Sequence, residues 1–415
     1  MIVSVIGLGY IGLPTAAILA KGDTQVVGVD INQEAVEMIN QGQIHIIEPE
    51  LEDLVYSAVQ SGNLTATIKP EKSDVFVIAV PTPFKGKNQP DLSFGKSAIL
   101  SISKVLEKGN LVILESTSPV GTTEKVVQWM REARPDLSFP SYQNNNLSDI
   151  SVAYCPERVL PGRILHELTV NDRIIGGINL ASSEKARDLY KNFVRSECHI
   201  SDCRTAELAK LVENSFRDVN IAFANELSLI CNKLNVNVWS LIELANHHPR
   251  VNILNPGPGV GGHCIAVDPW FIIDSAKEES KLIHMARSIN NSMPAYVVKK
   301  IYHAIEKLDK SPKEITIACL GLSFKADIND LRESPALDIS LKVNLMNFKQ
   351  QYVVEPNIRV LPNSFQNNSV ELVELDFAII ESDVIILLVD HSIFKHINLS
   401  LLSGKQVIDT RGIWR

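Results

Sequence analysis

Six cysteines are spread along 415 residues, Cys155, Cys198, Cys203, Cys231, Cys264 and Cys319, and no two form a Cys-x-x-Cys pair. That scatter speaks against a disulfide framework and against a zinc site, and it fits reduced thiols in a cytoplasm. His247 and His248 are adjacent, which is not metal-ligand spacing along a helix. No metal is expected. There is no excess of basic charge: 40 Lys and Arg stand against 48 Asp and Glu, a net charge of −8. A general nucleic-acid binder is thereby disfavoured, although a local basic pocket is not. No apolar run is long enough to span a bilayer, so no membrane segment is expected. Met1-Ile2-Val3-Ser4-Val5-Ile6 carries no basic leader and reads as a strand instead of a signal peptide. What remains is an ordinary globular composition, 45% hydrophobic and 21% charged, in a chain long enough for two or three domains.

The first half reads as a dinucleotide site. The run at residues 2–6 ends in Gly7-Leu8-Gly9-Tyr10-Ile11-Gly12, and a helical pattern follows from Leu13 to Ala20. A second apolar run, Val26-Val27-Gly28-Val29, ends at Asp30. Glycines allow a tight turn and close approach to a pyrophosphate, the helix N-terminus favours its charge, and the acid is placed to bond a ribose hydroxyl. A G-x-G-x-x-G between strand and helix, with an acid ending the next strand, is a strong signal. Asp30 would repel a 2′-phosphate, and no Arg follows it directly, so NAD is expected over NADP. Further strands at Asp74–Val80, Leu111–Leu114 and Val152–Cys155 each run into polar or turn residues. Thr82 and Thr117 follow two of them as candidate cofactor contacts, or as caps of the next helix. Gln143-Asn144-Asn145-Asn146 reads as a polar surface loop.

The middle, Thr205 to Asn235, reads as one long helix or as two, with an apolar stripe of Leu208, Leu211, Val212, Ser215 and Val219. Lys210 and Asn214 are four apart and share a face, with Glu207 on the same side. That face is either a solvated Glu–Lys pair or a set of inward polar groups. Beyond it lies Gly261-Gly262-His263-Cys264-Ile265-Ala266-Val267-Asp268-Pro269. Glycines let the backbone approach a ligand closely. A thiol held there could attack a carbonyl, and a carboxylate four residues on could manage the protons. The alternative is a small buried hydrophobe.

The last third alternates again: strands at Glu314–Leu320, Gln351–Val354, Asp383–Val389 and within Ser403–Asp409, with a helix from Ala336. This implies a second parallel sheet. Its first turn lacks a full glycine fingerprint and carries Lys325 and Arg332, which suit a phosphate-bearing substrate or a solvated loop.

Taken in order, these motifs resemble the UDP-glucose/GDP-mannose dehydrogenase family over essentially the whole chain: the glycine fingerprint, Pro156-Glu157-Arg158, Glu207-Leu208-Ala209-Lys210 with Asn214, Gly261-Gly262-His263-Cys264 with Asp268-Pro269, then Phe324-Lys325 and Arg332-Glu333-Ser334-Pro335. The resemblance implies an α/β fold. Two Rossmann-like doubly wound parallel-sheet domains are joined by a long central helix in a helical middle domain. The expected bounds are 1–185 for the NAD-binding domain, 186–295 for the central domain and 296–415 for the UDP-sugar domain. It also implies oxidation at C6 of a nucleotide sugar to the uronic acid, with two NAD+ reduced. Cys264 resembles the nucleophile, through a thiohemiacetal and a thioester. Lys210 and Asn214 resemble the partners of the developing oxyanion. Asp268 and Glu157 resemble the groups that handle water and its proton. Gly7, Gly9, Tyr10, Ile11, Gly12, Asp30, Thr82 and Thr117 are the expected cofactor contacts. Arg158, Val159, Leu160, Arg163, Asn252, Gly259, Gly261, Lys325 and Arg332 are the expected substrate contacts, together with Lys210 and Asn214. Arg250 resembles an arginine that reaches the substrate from a neighbouring subunit, which implies a homodimer.

The segment Pro256–Phe271, with His247–Asn252 and Pro156–Gly162, resembles the branch acting on UDP-N-acetyl-D-mannosamine, which supplies aminouronic acids to bacterial surface polysaccharides. The rival substrates are UDP-glucose and UDP-N-acetylglucosamine. The rival classes are a two-electron hydroxyacid dehydrogenase and a non-catalytic nucleotide-sugar-binding regulator.

Overall fold

A computed structural model describes residues 1–22, 24–86, 88–142, 148–365 and 369–414. The polar loop expected at Gln143–Asn146 lies outside the described residues. The chain divides into two compact units, Met1–Val212 and Glu213–Arg415.

The first unit contains β1 (Ile2–Ile6), β2 (Gln25–Val29), β3 (Leu64–Thr67), β4 (Val75–Ile78), a short hairpin of β5 (Phe84–Lys85) and β6 (Gln89–Pro90), then β7 (Leu111–Leu114), β8 (Ser151–Tyr154), β9 (Arg173–Gly177) and β10 (Cys198–Asp202). Eight of these form one sheet in the order β10-β9-β8-β7-β4-β1-β2-β3. Adjacent strands are parallel except β8 and β9, which are antiparallel. The central strands are apolar on both faces, with Phe76, Val77, Ile78, Val112 and Ile113 at 0% exposure. Such continuous burial is what helices on both faces of a parallel sheet require. One helix, Gly12–Ala20, is buried along its whole length. The chain order turns back between β1 and β4, and a crevice at the carboxyl ends of strands is expected at that reversal. The sequence pattern did not reveal β3, β9 and β10. Leu-Thr-Ala-Thr is short, and Cys-His-Ile-Ser-Asp is mostly polar and exposed, so both lack the apolar signal of a central strand.

The second unit holds β11 (Thr316–Leu320), β12 (Gln350–Val354), β13 (Val370–Leu372), β14 (Val384–Leu387) and β15 (Gln406–Asp409), all parallel, in the order β13-β12-β11-β14-β15. This is the order of β3-β2-β1-β4-β7 over again. Helices Val238–Asn246, Asp268–Ser275 and Lys281–Ile305 precede the sheet.

The long helix runs from Cys203 to Leu234, and the boundary between the units falls within it. Of its expected apolar stripe, Leu211 and Ser215 are buried and Val219 is half-buried, but two members are corrected. Leu208 and Val212 are 42% and 47% exposed, whereas Glu207, Lys210, Asp218 and Asn225 are buried. Glu207, Asp218 and Asn225 can face inward because each finds a hydrogen-bond partner there. Arg287 Nη1 lies 2.7 Å from Asp218 Oδ1, and Asn290 Nδ2 donates to the same oxygen at 2.8 Å. Asn225 Nδ2 donates to Asn290 Oδ1 at 2.8 Å. A hydropathy stripe cannot foresee partners from distant sequence.

Removing one member of a buried ion pair strands the other charge. Arg287→Met is expected to destabilise the protein by about 3–5 kcal/mol in urea unfolding, and Asp218→Asn in the same chain should recover most of that loss. A loss under about 1 kcal/mol in the single variant would contradict this account of the helix.

Candidate functional site

In the first unit, the glycine turn has the geometry a pyrophosphate needs. Gly7 N donates to Val29 O at 2.8 Å, closing the turn onto the neighbouring strand. A Cβ on Gly12 would stand 1.7 Å from the Gly7 carbonyl oxygen, so only glycine fits where the helix starts. A Cβ on Gly9 would meet nothing within 4 Å, which leaves open space over the turn for a ligand. Tyr10 is 43% exposed and Ile11 half-buried beside it. Asp30 accepts Leu8 N at 2.8 Å and Asn32 N at 2.9 Å and is only half-buried, which keeps carboxylate lone pairs available to a ribose. These residues fit NAD. Thr82 and Thr117 are half-buried. Neither caps a helix: the helices Ser93–Ser103 and Thr122–Ala133 start after Leu92 and Gly121 without a side-chain cap.

Behind the turn lies a buried polar network that the sequence did not disclose. Glu115 accepts from Tyr190 Oη at 3.1 Å, Thr15 Oγ1 at 3.2 Å and Arg173 Nη1 at 3.4 Å. Burial holds its carboxyl above the usual range, against the pull of the Arg173 charge. Glu157 is 7% exposed, and its Oε1 has no hydrogen-bond partner among the described residues. Burial pushes its pKa up to about 7, with the charges of Lys210 and Arg173 opposing. Lys210 is itself only 9% exposed, so the solvated Glu–Lys face is ruled out. Glu207 is 0% exposed and caps another helix instead, accepting Gly121 N at 2.6 Å, Thr123 N at 2.7 Å and Thr123 Oγ1 at 2.6 Å.

The loop after Glu157 is held by acids from elsewhere in this unit. Arg158 donates to the Asp172 carbonyl. Leu160 N donates to Glu167 Oε2 at 2.8 Å, and Gly162 N and Ile164 N donate to the two oxygens of Glu48 at 2.8 and 2.7 Å. Val159 is half-buried, while Leu160 and Arg163 are exposed. Glu48 is buried 114 residues before the loop it ties, and no local motif marks it.

In the second unit, Cys264 is exposed and heads a turn. Its carbonyl accepts Val267 N at 3.1 Å and Asp268 N at 2.9 Å, folding the segment back so that Asp268 opens the next helix. Asp268 is 3% exposed and accepts Asn214 Nδ2 at 2.6 Å. Gly262 has a φ of +81°, and a Cβ there would strike the Phe324 ring at 2.8 Å. A Cβ on Gly261 would sit 2.4 Å from the Glu333 carbonyl oxygen, and one on Gly259 3.0 Å from Pro335. The glycines thus let the thiol segment close onto the 324–335 loop of the second sheet. Two motifs read separately in sequence are brought together here. Lys325 is exposed on that loop, and Arg332 forms a two-pronged pair with Asp330 through Nε at 3.0 Å and Nη2 at 2.6 Å. Arg250 and Asn252 are exposed. Among the described residues no cluster of His, Cys, Asp and Glu could hold a metal ion, and no helix is long and apolar enough to cross a membrane.

A glycine turn at the reversal of one parallel sheet and a second sheet of the same order define an NAD-dependent dehydrogenase with two Rossmann-like units. The chain belongs to the UDP-glucose/GDP-mannose dehydrogenase family: the family's NAD binding domain matches residues 1–194, its central domain 204–292 and its UDP binding domain 318–415. A UDP-N-acetyl-D-mannosamine dehydrogenase of Campylobacter jejuni is 58% identical over 394 residues, covering 94% of this chain and 96% of the relative. An NDP-N-acetyl-D-galactosaminuronic acid dehydrogenase of Ralstonia nicotianae is 56% identical over 412 residues, covering 99% and 96%. The solved structure of a UDP-D-ManNAc dehydrogenase from Pyrococcus horikoshii superposes with a TM-score of 0.88 at 40% identity, covering 100% and 96%.

Two outcomes follow for the first unit. Gly12→Ala is expected to weaken NAD binding more than tenfold in calorimetric titration and to cost about 1–3 kcal/mol of stability through overpacking. A dissociation constant within about twofold of the parent would contradict the turn geometry. Glu157 carries a folded-state pKa of about 7 against an ordinary 4.5. The folded chain therefore holds a proton that the unfolded chain has released between those values, and stability falls as pH rises through that window. Glu157→Gln removes this penalty. The variant should match the parent near pH 4 and exceed it at pH 8 by on the order of 2 kcal/mol. Equal stability at both pH values would show the carboxyl is unperturbed.

Proposed function

We propose that the chain oxidises C6 of UDP-N-acetyl-D-mannosamine to UDP-N-acetyl-D-mannosaminuronate through a thioester on Cys264. The observation that carries this is the exposed Cys264 at the head of a glycine-closed turn that runs into the buried Asp268, which is hydrogen-bonded to Asn214. The Campylobacter and Pyrococcus relatives bear the name of this substrate, which supports the choice. The Ralstonia relative, named for a galactosaminuronic acid, supports a second reading in which the N-acetylgalactosamine nucleotide is the substrate.

NAD bound at the Gly7–Gly12 turn supplies the hydride acceptor for both oxidations. The chain's own residues do the rest. Lys210 and Asn214, one helical turn apart, stabilise the oxygen as negative charge develops on it. The Cys264 thiolate adds to the C6 aldehyde, and oxidation of the resulting thiohemiacetal leaves a thioester. Asp268, oriented by Asn214, positions the water that releases the acid, and Glu157, titrating near neutrality, takes its proton. Arg158, Val159, Leu160 and Arg163 cover the sugar on the loop that Glu48 anchors. Lys325 and Arg332 meet the diphosphate, Arg332 turning from Asp330 to do so. Gly259, Gly261 and Asn252 line the same substrate.

Arg250 completes the site of a neighbouring copy in a homodimer. The long helix offers a surface for that dimer: Phe216, Phe223, Ile230 and Leu234 are 67%, 51%, 47% and 65% exposed on it, more apolar area than a monomer's helix normally leaves in water. The work belongs in the cytoplasm, where an exposed thiol stays reduced.

Incubation with UDP-N-acetyl-D-mannosamine is expected to yield two NADH per sugar, with the galacto and gluco nucleotides turned over at least tenfold more slowly. Preference for the galacto sugar would install the second reading. Cys264→Ala should form almost no acid, and a Cys264→Ser enzyme working at near the parent rate would overturn the covalent step. With Glu157 as base, acid release should climb as pH passes about 7 and lose that rise in Glu157→Gln.

A further inference from the structure

The second sheet repeats the dinucleotide turn of the first at the level of backbone bonds. Gly7 and Gly321 share a φ of +93°. Gly7 N donates to Val29 O at 2.8 Å, and Gly321 N donates to Val354 O at 2.8 Å. Leu8 N donates to Asp30 at 2.8 Å, and Leu322 N donates to Glu355 at 2.7 Å. The repeat breaks at the acid. Asp30 is half-buried, but Glu355 is 3% exposed. Its Oε2 takes Leu322 N, Ser323 N at 3.0 Å and His391 Nε2 at 3.1 Å, and its Oε1 takes Asn357 N at 3.2 Å. With about four lone-pair sites on a carboxylate, none is left for a ribose. In this turn the acid has become an anchor.

His391 is 0% exposed, and its Nδ1 accepts Asp327 N at 2.9 Å. The ring proton therefore sits on Nε2 and goes to Glu355. Ser392 N and Oγ donate to the Asp327 carboxylate at 2.9 and 2.6 Å. Asp327 holds a φ of +61°, which a non-glycine residue keeps only when its surroundings impose it. On the other side, Ser323 Oγ donates to the Lys325 carbonyl at 2.7 Å. The exposed Lys325 is thus pinned before and after, and its neighbour Phe324 lies against Gly262 of the thiol segment. Burial raises the Glu355 carboxyl, but the bonds from His391, Leu322 and Ser323 outweigh it and hold the group ionised below its ordinary range.

We propose that Glu355, His391 and Ser392 form a clamp that positions Lys325 for the diphosphate of the nucleotide sugar, with His391 its central positioning residue. This rests on the reading of Lys325 as a diphosphate contact.

The probe is UDP itself, titrated calorimetrically into the full chain, with NAD titrated in parallel. His391→Phe keeps the edge-on packing against Phe394, at 5.3 Å between ring centroids, but loses both nitrogens. UDP binding should fall about tenfold while NAD binding stays within about twofold. In turnover, KM for the UDP-sugar should rise with kcat kept. His391→Gln, whose amide can accept from Asp327 and donate to Glu355, should restore UDP binding to within about threefold. The exposed Ser392→Ala should weaken UDP binding about threefold without unfolding the chain. A folded His391→Phe that binds UDP like the parent, or loses UDP and NAD affinity equally, overturns the proposal. If His391→Phe does not fold, parent-like UDP binding by Ser392→Ala overturns it. A parent chain that binds no UDP removes the underlying reading of Lys325 instead, and the clamp's role with it.

Discussion

The polar face of a single helix organises the polar contacts of each unit. At Glu207 it grips the start of another helix through Gly121 and Thr123. At Lys210 it sets a cation against the carboxyl of Glu157. At Asn214 it holds Asp268. At Asp218 it pairs Arg287, and at Asn225 its Oδ1 accepts Gly257 N at 2.9 Å, just ahead of the thiol segment. Within each unit the helical spacing keeps these groups on one side: Glu207 and Lys210 are three apart in the first, and Asn214, Asp218 and Asn225 are four and seven apart in the second. An apolar face would pack as well and position nothing. Each buried polar group is costly unless bonded, so the pairs are strongly specified once formed.

The same economy runs through both sheets. A parallel sheet that reverses its strand order opens a crevice at the carboxyl edge, and the first turn there must satisfy its own backbone N–H. Both units solve this with a left-handed glycine and an acid ending the adjoining strand. In the first the acid keeps an edge to solvent. In the second it is sealed under His391. One backbone device thus recurs in both units, and the difference lies at Glu355 and His391, 36 residues apart in sequence.

Much of this was legible in the sequence where the signal is local. The glycine fingerprint with Asp30, the apolar central strands, the long helix and the Cys264–Asp268 spacing all depend on neighbours within a few residues. What escaped depends on contacts made across the fold. The inward turn of Glu207 follows from partners at Gly121 and Thr123, and buried Lys210 acts on Glu157 through its charge. The Glu48 anchor, the Glu115–Arg173 network and the Glu355–His391 pair join residues 36 to 116 positions apart. The edge strands β3 and β10 are half polar because one side of each is wet, so their period is weak. Thr82 and Thr117 could have been caps, and only the backbone excludes it.

A covalent step at Cys264 leaves an intermediate that can be trapped. Asp268→Asn, which neutralises the carboxylate proposed to position water, is mixed with NAD+ and UDP-N-acetyl-D-mannosamine, quenched in acid and digested. Mass spectrometry of the peptide carrying Cys264 should then show the added uronyl-nucleotide mass, released by hydroxylamine as a thioester is. Two NADH formed with no such mass on that peptide would contradict the account.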